Sequence, residues 1–151
     1  MYRTPILAAS LTALLLASAP HRSPLAGDES GLVTWMGRLQ YFTHKLGLAV
    51  DARNRALQGF YAHEVEEVIE HISRIREVDG VEIGALVEAK LVPAFDALEG
   101  AVEAGDQART DRAYADLIGA CNACHKAANR PYIHIEHRAE NPYPQGFAPL
   151  P

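Results

Sequence analysis

Six apolar side chains, Leu57, Tyr61, Val65, Val68, Ile72 and Ile75, follow one another at intervals of 4, 4, 3, 4 and 3 residues. That rhythm tracks the turn of an α-helix and puts all six on one stripe, so the segment needs a partner surface to cover it. The same periodicity returns elsewhere in the chain, and nowhere does the sequence alternate in the way a half-buried strand requires. The chain is therefore expected to be all-α.

Four helices are predicted. At about 100° per residue, Trp35, Leu39, Phe42, Leu46 and Val50 share one face of a first helix over 32–50, with Met36 and Thr43 at its edge and His44 turned toward solvent. Asn54 is placed to cap a second helix reaching about residue 77. A third begins near Val81, with Pro93 expected to kink or split it before 94–103, because proline lacks an amide donor. Asp106 caps a fourth, over 107–130, in which Tyr114, Leu117, Ile118, Cys121, Cys124 and His125 lie within one arc. Four amphipathic helices joined by short connections are best satisfied by an antiparallel four-helix bundle. After Arg130 the prolines at 131, 142, 144, 149 and 151 stop any helix, yet Tyr132, Ile133, Ile135, Tyr143 and Phe147 are too apolar for a free tail. Residues 131–151 should form an irregular extension packed back on the bundle.

The N-terminus follows another logic. Arg3 precedes an apolar run from Ile6 to Ala19, too short for a comfortable membrane span, and Ala17-Ser18-Ala19 is a small-x-small cleavage pattern. Residues 1–19 read as a signal peptide, with a cut as late as Ala26 open because Pro20 is a poor first residue; an uncleaved anchor is the other reading. Residues 20–30 would be a linker and 31–130 the helical domain. A net charge of −5 opposes a nucleic-acid partner.

The chemistry sits in Cys121-Asn122-Ala123-Cys124-His125, which holds both cysteines of the chain. Two thiols three positions apart on a helix point the same way, at the spacing that lets both add to the vinyl groups of a haem, and the adjacent imidazole can then ligate the iron. A thioredoxin-like reading of Cys-x-x-Cys wants a βαβ setting, and structural zinc wants four ligands at definite spacings. Neither context is present. Haem of this type is attached outside the cytoplasm, where the N-terminal signal independently sends the chain.

A chain of four amphipathic helices with this motif on the last resembles the helical-bundle c-type cytochromes, the group of the cytochromes c-prime and their low-spin relatives, over residues 31–130. The resemblance implies one covalently bound haem c per chain inside the bundle, with Cys121 and Cys124 as thioether anchors and His125 as proximal iron ligand. It also implies that a residue of the first helix stands over the other face of the iron. Bundles of that group often pair through helices one and two, so a homodimer is one expected assembly. The segment after His125 is longer here than in the group and would cover a haem edge that is open in the relatives.

The sixth position then decides function. Met36, early on helix one, is the first candidate for a distal ligand, with plain core packing the competing reading. On helix two, His63, Glu67 and His71 form a stripe that reads as a solvated face, with His71, nearest the seam, the exception as a distal group. His134 and His137 are expected at the surface. Arg38, Lys126 and Arg130 are candidate partners for the haem propionates, and Tyr114, Leu117 and Phe42 candidate walls of its pocket. These features lead to the expectation of a periplasmic, one-electron carrier rather than an enzyme, docking to redox partners through their basic faces. A five-coordinate protein binding nitric oxide or carbon monoxide is the alternative. A peroxidase-like enzyme is a third, for which no distal His/Arg pair can be placed.

Overall fold

The computed structural model describes residues 26–151, with side chains from residue 31; the expected signal peptide and most of the linker lie outside the described residues. The described chain is helical, with no strand beyond an isolated bridge between Val78 and Val81. Helix α1 spans Ala26–Asp51 and α2 Arg55–Ser73. A continuous helical run follows, made of α3 (Ile83–Leu86), a π-helical turn Val87–Leu91 and α4 (Val92–Ala104), and α5 spans Gln107–Ala127. Helix α1 packs chiefly on α2 and α4 chiefly on α5, while α2 meets α4 and α1 meets α5. Leu46, Val65, Ile72, Leu98 and Leu117, all at most 1% exposed, bring α1, α2, α4 and α5 to one core.

The expected caps form. Asn54 Oδ1 accepts from the Leu57 amide at 3.2 Å, and Asp106 Oδ1 accepts from the Arg109 amide at 3.0 Å, each satisfying a donor that the first helical turn leaves free. Gly105, with φ +66°, supplies the left-handed residue that closes α4. The seam of α2 is as read, with Tyr61, Val65, Val68 and Ile72 buried.

Other boundaries moved. Helix α1 starts inside the expected linker, at Ala26. Helix α2 ends at Ser73 rather than near 77, because the Ile75 carbonyl turns to accept from the Gly84 amide at 2.9 Å. The chain then reverses through Asp79 and Gly80, both at positive φ, with reciprocal Val78 and Val81 backbone bonds. Helix α5 ends at Ala127, short of 130, where Asn129 takes positive φ and the Arg130 amide bonds the His125 carbonyl at 2.8 Å. Pro93 does not split its helix. It falls just after the π-helical turn, where the Val92 amide reaches the Val87 carbonyl five residues back, and this wider winding carries the chain past the missing donor.

The C-terminal segment does pack back. Phe147 is buried beside Tyr61 and its carbonyl accepts from Asn54 Nδ2 at 3.0 Å, so one asparagine both caps α2 and pins the tail. Gln145 Oε1 accepts from Tyr61 Oη at 2.6 Å and from Lys45 Nζ at 2.9 Å. His44 is a correction: it is half-buried and reaches tail atoms through both ring nitrogens. Its Nε2 lies 3.1 Å from the Arg138 carbonyl and Nδ1 3.1 Å from Tyr143 Oη. Because a carbonyl only accepts, Nε2 carries the proton and Nδ1 accepts from the phenol. The helix face read as solvent-facing is the seat of the tail.

Candidate functional site

The three to four residue spacing of Cys121, Cys124 and His125 turns all three toward α1 and the π-helical run, and there they line one cavity of about 470 Å³. That volume lies within the range of roughly 300–1,000 Å³ usual for cofactor and ligand sites. Leu32, Met36, Leu39 and Thr43 of α1 form the facing wall, and Ile83, Val87 and Leu91 form the side. Val78 and Val81 of the reversing loop and Ile133 and Ile135 of the tail complete it, so α1, the run from the loop through the π-helical turn, α5 and the tail border a largely apolar space that stays open to solvent on one side, where Val33 is 68% and Ile133 43% exposed.

Neither cysteine is in a disulfide. Cys121 is 8% exposed, and burial pushes its thiol up to about 12; the half-buried Cys124 thiol is raised for the same reason, against a lowering influence of Lys90. Cys124 Sγ donates weakly to the Leu86 carbonyl, at 3.6 Å. These are protonated thiols in an apolar wall, the reverse of the depressed, electropositive setting that activates a redox cysteine. Among the described residues no three His, Cys, Asp or Glu side chains are grouped so as to hold a metal ion by themselves.

His125 is half-buried, and its Nδ1 lies 2.9 Å from the Ile133 carbonyl. Nδ1 therefore carries the ring proton and Nε2 keeps the lone pair that a metal would take. Met36 lies in the same cavity, half-buried, on the α1 wall.

Thr43 is 4% exposed, lines the cavity, and its Oγ1 is the one buried side-chain polar atom among the described residues without a hydrogen-bond partner. An orphaned buried hydroxyl costs roughly 1–3 kcal/mol, and this one is sealed behind the wall rather than open to the cavity. At the rim, Arg130 Nη2 donates to Asp79 Oδ2 at 2.9 Å.

Several expected site residues lie elsewhere. His71 stacks on Trp35 at 4.1 Å between ring centroids and lines a separate groove between α1 and α2, so it is no distal group. Arg38 lies over the same Trp35 ring at 4.9 Å, and Phe42 lines that second groove too. Lys126 is exposed and outside the cavity, which leaves Arg130 as the one cation of the expected three at its rim. Tyr114 and Leu117 are core residues rather than walls. The Tyr114 phenol, raised by burial, donates to the Thr43 carbonyl at 3.1 Å and so braces the α1 wall from behind. His63 sits between Glu66 and Glu67 on the solvated face of α2, as read. His134 and His137 are exposed, His137 pairing with Asp51 at 2.9 Å.

What sequence reasoning missed is the buried Thr43 hydroxyl and the part that Val78 and Val81 play in the wall, whereas a tail covering this side was expected. Compared with known protein families, characterised proteins and solved structures, the chain matches none.

Proposed function

We propose that the chain is an exported, periplasmic monohaem c-type cytochrome that carries one electron, with haem c held through Cys121 and Cys124 and ligated by His125. The observation that carries the reading is that Cys121, Cys124, His125 and Met36 line one apolar cavity of cofactor size, with His125 Nε2 left free of the Ile133 carbonyl that takes Nδ1. The finer fold reading, an antiparallel four-helix bundle, goes with it. Its support is that α1 and α2, and likewise α4 and α5, pack on each other across connections of only a few residues.

When bound, the haem supplies an iron that cycles between ferric and ferrous states. The chain does the rest. The thiols would anchor, the apolar walls would lower the polarity around the group, and the Ile133 carbonyl, by taking Nδ1, leaves Nε2 of His125 as the nitrogen able to ligate. Arg130, already paired with Asp79, is the cation available to a propionate. Met36 is the chain's own candidate for the sixth position, and its thioether would raise the reduction potential.

A second reading, binding of a small gas such as nitric oxide or carbon monoxide, is favoured by one observation: Met36 is the one candidate ligand on an α1 wall otherwise formed by Leu32, Leu39 and Thr43. Visible spectra of purified ferric and ferrous protein, with and without carbon monoxide, separate the two. A low-spin spectrum indifferent to carbon monoxide supports the carrier, and an open iron that binds the gas supports the alternative. Protein that carries no covalent haem after production with a maturation system ends both.

A further inference from the structure

The carbonyl that orients His125 belongs to Ile133, on a segment with no helix or sheet to hold it in place. It is nonetheless held at both ends. On the near side the Ile133 amide donates to the Arg130 carbonyl at 3.0 Å. On the far side one side chain grips the main chain of Ile135 twice: the Ile135 amide donates to Asn122 Oδ1 at 2.8 Å, and Asn122 Nδ2 donates to the Ile135 carbonyl at 2.9 Å. An amide donor must meet the oxygen and a carbonyl must meet the nitrogen, so the orientation of the Asn122 amide is unique. Asn122 is also the residue that follows the first cysteine of the motif, which ties this grip to the same helical turn that carries Cys121 and His125.

The geometry points to Asn122 as a positioning residue for the proximal histidine: by clamping Ile135 it holds the Ile133 carbonyl against His125 Nδ1, fixing the ring's tautomer and orientation. The inference rests on the haem reading above and deepens it. A ring N–H bound to a fixed carbonyl makes the imidazole a stronger donor, which favours the more highly charged ferric iron and lowers the reduction potential. Loss of the clamp should free the Nδ1 proton to exchange with water and raise the potential.

The experiment uses full-length holoprotein with its attached haem. Ferrous protein under carbon monoxide is diamagnetic whichever group fills the sixth position, so exchange of the His125 Nδ1 proton is readable by nitrogen-15 NMR, and the potential by redox titration. Asn122→Ala loses both bonds to Ile135 and should speed exchange on the order of tenfold or more and raise the potential. Asn122→Asp keeps the acceptor for the Ile135 amide but loses the donated bond, and should fall between wild type and alanine. It decides the matter should Asn122→Ala not fold. Asn141→Ala is the control, since it removes bonds to Gln145 and Tyr143 farther along the same tail and should move neither readout. Unchanged exchange and potential in the Asn122 variants, or equal shifts from Asn141→Ala, would overturn the proposal while leaving the haem reading intact. Absence of covalent haem in the wild type would overturn both.

Discussion

Each cysteine makes a single contribution that the other cannot replace, because each thiol can form one thioether to one vinyl group. Cys121 is deep in the cavity wall and Cys124 nearer its edge, and both are protonated rather than reactive toward disulfides. Replacing either with alanine should leave haem attached by one bond, while the double replacement should abolish haem staining on a denaturing gel. Staining that survives the double change would mean that the group is held by other means. Met36 is the next discriminating residue. If its thioether ligates, Met36→Ala should convert a low-spin spectrum to one with an open site that takes carbon monoxide; a low-spin spectrum left unaltered would reduce Met36 to packing.

At the scale of elements, the junctions carry more than the helices do. Asn54 joins α1 to α2, caps α2 through Oδ1, and holds Phe147 of the tail through Nδ2. Asn54→Ala removes a cap worth about 1 kcal/mol and leaves the buried Phe147 carbonyl without its donor, so a loss of about 2–3 kcal/mol is expected in urea unfolding. Gly47 is a second such point: a Cβ there would collide with the Tyr114 hydroxyl and ring, which brace the Thr43 carbonyl. Gly47→Ala should cost about 1–3 kcal/mol by overpacking, measured in the same assay, and a neutral result would show that α1 and α5 can slide apart. These junctions also mark what was legible in the sequence. The α2 seam, the caps at Asn54 and Asp106 and the common face of Cys121, Cys124 and His125 are local, set by spacing and side-chain chemistry within a few residues. The π-helical turn before Pro93, the cavity wall at Val78 and Val81 and the burial of His44 under the tail are not. They depend on which distant segment arrives, and a period alone says nothing of that. Trp35, Leu39 and Phe42 do share a face packed on the core, but Phe42 lines the groove between α1 and α2 with Trp35 and is no wall of the cavity that Leu39 lines.

The whole molecule has an acidic balance, so a redox partner with a basic docking face should reduce or oxidise it at a rate that falls as salt is added, and a rate flat with ionic strength would remove that expectation. Its more demanding property is the apolar cleft that reaches into the core. A chain of this size ordinarily fills its core with side chains at crystal-like density, and a space of about 470 Å³ walled by leucine, valine and isoleucine forfeits those contacts. Direct bonds join these stretches, such as Asn122 to Ile135 and Tyr114 to Thr43, but α1, the run from the reversing loop, α5 and the tail all border that space as well, so whatever fills it adds contacts among them. A covalently anchored group cannot dissociate, and its stabilisation therefore does not depend on free ligand as ordinary binding does. The expected consequence is a large difference between two forms of one sequence. Holoprotein should unfold in a single cooperative thermal transition. The same chain made without haem attachment should melt well below it, and should bind a hydrophobic dye, as a helical but loosely packed state does. Circular dichroism in the far and near ultraviolet, taken on both forms, checks this: helix signal retained but aromatic signal weakened in the haem-free chain is the expected pattern. Equal melting temperatures would mean that the walls close on themselves without the group, and that the cavity is not built around it.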